Sequence, residues 1–189
     1  MAILPIVTYD DPVLRAETKP IKHNSDELQQ LIKDMFDTMY HANGVGLAAP
    51  QIGKSIRIFV MDAEPMTDDE EDFDYFGPSA FINPEIKYLT EETVDMEEGC
   101  LSIPSVTEMI TRKQKIEVSY RDKNFEPQVL QCKSWNARII LHETDHLHGK
   151  LFIDYLSSFK KRLIGRTLHK IAHGNLECDY PLAPKVAAS

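Results

Sequence analysis

The stretch Leu141-His142-Glu143-Thr144-Asp145-His146-Leu147-His148-Gly149 sets three histidines and two carboxylates side by side. How it is wound decides the fold. On an α-helix each residue advances about 100°, so His142 and His146, four apart, share one face and can point at one ion. Glu143 sits beside them as a general base. His148 falls on roughly the opposite side and Asp145 is offset from the pair, so both read as structural. Ser134 offers an N-cap for this helix, and Trp135, Ile139 and Ile140 carry it forward to His146.

A catalytic metal usually takes three protein ligands and keeps one position open. The protease forms of HExxH supply the third from downstream. In the extended pattern HExxHxxGxxH, Gly149 matches, but the last histidine position is Phe152, which cannot coordinate. The thermolysin-like pattern needs a glutamate on a later helix, and Asp154, Glu177 and Asp179 have no convincing helical context. Upstream, Glu97-Glu98-Gly99-Cys100-Leu101-Ser102 offers Cys100. A thiolate with two neutral imidazoles is a coherent set for a borderline divalent ion such as Fe²⁺, Zn²⁺, Ni²⁺ or Co²⁺, and a water bound there becomes much more acidic. A metalloprotease and a non-catalytic metal-binding protein remain alternatives at this point. A binding protein would have no use for Glu143.

Working outward, Asn24-Ser25 caps an amphipathic helix marked by Leu28, Leu31, Ile32, Met35 and Met39 and stopped at Asn43-Gly44. An extended segment, GVGLAAPQIG, leads into a strand over 56–61. Residues 62–79 read as an acidic surface loop, and the ligand order of an EF-hand is absent from it. Ala80 to Asn83 reads as a further strand. Ile116, Val118 and Tyr120 alternate, turn at Arg121 to Asn124, and return through Val129 and Leu130 as a hairpin. Phe159, Leu163 and Ile171 mark a terminal helix, and 177–189 reads as a C-terminal tail. The order predicts an α+β fold: short antiparallel or mixed sheets packed around the central HExxH helix, with a C-terminal helix.

The 189 residues suit one catalytic domain, 1–189, which at this length buries roughly 70% of the surface of its unfolded chain. No apolar run approaches the roughly 20 residues of a membrane span. The N-terminus has no basic region followed by an apolar one, and Cys100, Cys132 and Cys178 have no CxxC spacing; a reduced, cytoplasmic protein is expected. A net charge of -9 argues against DNA as a partner. Locally, Lys160, Lys161, Arg162, Arg166 and Lys170 fall in a stretch with no acid between Asp154 and Glu177.

Three motifs in order, GVGLAAPQ (Gly44 to Gln51), EGCLS (Glu98 to Ser102) and HETDHL (His142 to Leu147), resemble the peptide deformylase family, and the resemblance runs from near the N-terminus to the terminal helix. It implies a hydrolase that removes the formyl group from the N-formylmethionine of nascent polypeptides and releases formate. It implies Cys100, His142 and His146 as ligands, with Fe²⁺ as the ion. Glu143 would move the proton, while the Gln51 amide and the Leu101 N–H would hold the oxyanion. Gly44 and Gly46 allow close backbone approach of a peptide, and Val45 and Ile139, with Trp135 near, match the family's methionine pocket. Glu98 and Arg112 resemble its structural ion pair. Two positions depart from the pattern: Leu141 stands where the family usually has Gln, and Thr107 where some bacterial members have a substrate-contacting Arg. The basic helix is consistent with members that meet nascent chains at the ribosome, although a solvated helix face is the favoured reading.

Overall fold

The computed structural model describes residues 2–69 and 75–185. Helix α1 (Asp26–His41) begins where the Ser25 hydroxyl accepts from the Leu28 N–H at 3.2 Å. Strands β1 (Gly46–Ala48) and β2 (Ile58–Met61) follow, with a turn of 3₁₀ helix at Ala49–Ile52 between them. After a second 3₁₀ stretch at Glu64–Asp69 come β3 (Ser79–Tyr88), β4 (Thr93–Cys100), β5 (Ile103–Lys113), β6 (Lys115–Arg121) and β7 (Pro127–Lys133). Helix α2 (Ser134–Leu147) carries the HExxH motif, and α3 (Ser158–Ala172) closes the helical set. Every strand pairing is antiparallel: β1-β2-β3-β6-β7 form one sheet and β4-β5 a separate hairpin. This is the expected α+β architecture.

The period-2 alternation of β2 explains how the sheet is used on both sides. Phe59 and Met61 face α2, where they join Ile140, Leu141 and Leu147. Ile58 and Val60 face α1 and meet Ile32, Met35 and Met39. The methionines of α1 are therefore core filling, as their helical spacing predicts. A third apolar cluster, with Ile103, Val106, Ile110, Phe152 and Ile171, joins the β4-β5 hairpin to α3 and to the segment after α2.

Several expectations are corrected in detail. The strand over 56–61 is shorter, Ile58–Met61, and the one at 80–83 longer, Ser79–Tyr88. The acidic loop does not begin at 62, because Asp62 is buried and accepts from the hydroxyls of Tyr40 (2.7 Å) and Tyr75 (2.9 Å). Most of the charge run 68–74 lies outside the described residues. On α3, Phe159 and Leu163 point to solvent at 61% and 65% exposure, and the inward stripe is Ile164, Leu168 and Ile171. Of the tail 177–189, residues 186–189 lie outside the described residues, and the rest is docked: the Ile6 N–H donates to Pro181 O at 2.9 Å and the Ala183 N–H to Ile6 O at 2.8 Å.

Candidate metal centre

Helix α2 is held at its C-terminal end, which helps fix where its ligands point. Its C-terminal carbonyl at Leu147 accepts from both the Thr18 N–H (3.0 Å) and the Thr18 hydroxyl (2.9 Å). Gly149, at φ 70°, then lets the chain pass against the backbone of Arg15, where an added Cβ would lie 2.6 Å from the Arg15 carbonyl oxygen. His142 and His146 are both buried and face the end of β4. Ligand atoms of Cys100, His142 and His146 lie within 4.8 Å of one another, and Cys100 Sγ is 3.3 Å from His146 Nε2.

The surrounding polar groups orient these three. His142 Nδ1 lies 2.9 Å from Glu98 Oε2, leaving Nε2 for the cluster. Glu98 in turn takes Arg112 in a two-pronged pair, at 2.6 and 2.9 Å, and Arg138 Nη1 at 2.7 Å. Burial alone would raise the Glu98 pKa, but Arg112 and His142 overcome it and hold the carboxyl far below the usual carboxylate range. Arg138 also donates to Ile110 O and Val94 O, so it ties α2 to both strands of the hairpin. Sequence reasoning found Glu98 and Arg112 but missed Arg138. The signal was present, since Arg138 precedes His142 by one helical turn and shares its face. Asp145 proves structural too, accepting from Arg112 (2.6 Å) and Tyr155 (2.9 Å), and His148 meets Glu17 at 2.7 Å.

Gln51 is buried, and its amide is oriented: the Ala48 N–H donates to Oε1 at 2.8 Å, which turns Nε2 toward Cys100 Sγ at 3.5 Å. Glu143 is 4% exposed, and its Oε2 has no hydrogen-bond partner among the described residues. Burial pushes its pKa up to about 7. The Gly46 backbone lies directly on this carboxylate. Gly44, Val45, Gly46, Leu101, Trp135 and Ile139 line a cavity of about 750 Å³ that also reaches Cys100, His142, Glu143 and Gln51. Met66 and Met96, not singled out in the sequence, add apolar wall to it.

A converging thiol and two imidazoles, with an unpartnered buried carboxylate oxygen alongside, fit a divalent ion with room for a water. Phe152, where the extended protease pattern wants histidine, instead packs its ring 6.1 Å from that of His142. Leu141 is 6% exposed in the α2-sheet core, so its apolar side chain suits its surroundings. Thr107 lies on the cavity wall.

The family model described as polypeptide deformylase matches residues 3–162. The peptide deformylase of Salinibacter ruber is 48% identical over 186 residues, covering 97% of this chain and 95% of its own. That of Chlorobaculum parvum is 42% identical over 182 residues, covering 96% and 95%. Among solved structures, peptide deformylase from Ehrlichia chaffeensis in complex with actinonin superposes with a TM-score of 0.83 at 36% identity, covering 94% of this chain and all of that one.

Proposed function

The chain belongs to the peptide deformylase family and is a hydrolase that removes the formyl group from nascent peptides, and from that premise we propose how its own residues divide the work. Cys100, His142 and His146 would hold one divalent ion, which when bound supplies Lewis acidity to a water and to the formyl oxygen. Glu143 takes the proton from the attacking water and returns it to the departing amine, so the products are formate and a free N-terminus. The Gln51 amide and the Leu101 N–H donate to the oxygen that becomes negative; one such donor is typically worth about 3 kcal/mol of barrier. The extended backbone of Gly44 to Gly46 lines up the peptide as an added strand. Val45, Ile139 and Trp135, with Met96, accept the methionine side chain, which makes N-formylmethionyl peptides the substrate.

The observation that carries this reading is Glu143 Oε2, unpartnered among the described residues, in the cavity that reaches Cys100 and His142 of the Cys100, His142 and His146 cluster. Formate release from an N-formylmethionyl peptide by anaerobically purified, metal-quantified protein tests it. Glu143→Ala is expected to lower kcat on the order of 10²- to 10⁴-fold at equal metal content. Full metal occupancy without formate overturns the reading, and cleavage of internal peptide bonds would favour a protease. We assign Fe²⁺ as the resident ion, and a preparation whose activity follows zinc rather than iron content would reverse that.

The setting we infer is the cytoplasm, with residues 1–189 as one catalytic domain that meets its substrate at the ribosome. On α3, Lys160 is engaged with Glu108 at 2.8 Å, and no partner is seen for the Arg162, Arg166 or Lys170 side chains among the described residues. Those three cations favour phosphate. Cosedimentation with ribosomes that weakens steeply with salt and is lost when the three become Ala supports docking; salt-insensitive or absent binding refutes it.

A further inference from the structure

The tail beyond α3 returns to the catalytic cavity and grips its wall. Gly174, at φ 66°, turns the chain after α3, and residues 177–180 line the same cavity as Cys100 and Glu143. Beyond them, Leu182 bridges Ile6, and the Lys185 ammonium contacts the Asp10 carboxylate at 2.5 and 2.7 Å as well as the Thr8 hydroxyl. The N-terminal segment that receives the tail is itself bonded to the catalytic loops: the Val7 N–H donates to Gln51 O at 2.8 Å and the Tyr9 N–H to Ser102 O at 2.9 Å. The Tyr180 hydroxyl completes the set, donating to Leu101 O at 2.8 Å. The matched family model ends at 162, so this contact comes from outside the motif-bearing body.

We propose that Tyr180 is a positioning residue for deformylation, fixing Leu101 so that its N–H faces the developing oxyanion. This rests on the reading of Leu101 as an oxyanion donor. Leu101 and Ser102 form the turn between the paired residues Cys100 and Ile103, so neither is held by a strand ladder. The direction of the Leu101 N–H follows the rocking of that turn. Tyr180 restrains the turn at the Leu101 carbonyl and Tyr9 at the Ser102 carbonyl, while the Tyr180 ring packs on the α1-sheet core. A hydrogen bond that merely closed the tail would not need to end on this carbonyl. A donor aimed before reaction costs no reorganisation as charge develops, so its loss appears in kcat rather than in substrate binding.

Tyr180→Phe keeps the ring and removes the hydroxyl. Its kcat for N-formyl-Met-Ala-Ser is expected to fall about three- to tenfold, with KM within about twofold of wild type and thermal midpoint and metal content unchanged. Hydrogen exchange of the Leu101 amide is expected to accelerate in the same variant. An unchanged kcat, or a loss that tracks falling metal content or thermal midpoint, overturns the role. If wild type releases no formate, the deformylase reading falls and this inference with it; an active wild type beside an equally active Tyr180→Phe sinks only the inference.

Discussion

At the scale of single residues, the site depends as much on atoms that are missing as on those present. A Cβ at Gly46 would stand 2.4 Å from Glu143 Oε1 and 2.8 Å from its carboxyl carbon, so the buried carboxylate would have to leave its position. Gly46→Ala is therefore expected to lower kcat on the order of 10²-fold while circular dichroism stays that of the wild type. Gly44→Ala should be milder, because its Cβ meets chiefly Leu101 Cδ1, the end of a flexible side chain. A Gly46→Ala protein as active as Gly44→Ala would show that Glu143 is free to move. Cys100, His142, Glu143 and His146 were legible in the sequence because helical spacing and ligand chemistry single them out. Arg138 was legible only as a residue one helical turn before His142; its buried guanidinium gains meaning beside Glu98, which lies on another element. Glycine contacts of this kind are invisible until the partner carboxylate has a position.

At the scale of elements, α3 has two apolar stripes and only one of them faces the protein. Ile171 is 2% exposed in the cluster that fixes the β4-β5 hairpin. Ile171→Ala should cost about 2–5 kcal/mol. Leu163→Ser, on the exposed stripe, should stay within about 0.5 kcal/mol, and urea unfolding of the two variants checks the contrast. Equal losses would contradict the inward stripe seen here. Spacing could not choose between Phe159 with Leu163 and Ile164 with Leu168, because both pairs are four apart; contact with β5 decides. The β4-β5 hairpin went unread for a different reason. Along β4 the inward face is Val94, Met96, Glu98 and Cys100, and its only fully buried residue is the charged Glu98, so the short V-x-M alternation breaks off at an acid. What holds it is the charge network of Glu98 with Arg112 and Arg138, which composition presents as ordinary surface residues. The β6-β7 hairpin, with Ile116 and Val118 buried on one face, was legible by the same criterion.

At the scale of the whole molecule, the metal cluster joins the hairpin, through Cys100, to the helix that the large sheet packs against. An ion bound there stabilises only the folded chain, so at a hundred times its dissociation constant it contributes about 2.7 kcal/mol. Anaerobic removal by a chelator is expected to lower the thermal midpoint by about 5–10 °C, recoverable on adding the ion back. No shift on stripping would mean that the cluster does not bridge the two parts. The overall α+β arrangement followed from the order of patterns along the chain. The docking of the tail did not, because it rests on backbone pairing with Ile6 and on Lys185 reaching Asp10, neither of which leaves a periodic trace. That same pairing sets an order on synthesis. The segment around Ile6 has no partner in the Leu182 region until Leu182 has been translated, roughly ten to thirty-five seconds later at ordinary ribosomal speed. Through that interval the Ile6 N–H and carbonyl lack the partners they have in the folded chain, Pro181 and Ala183. An enzyme for newborn chains thus leaves the bridge at Ile6 unmade until Leu182 has been added.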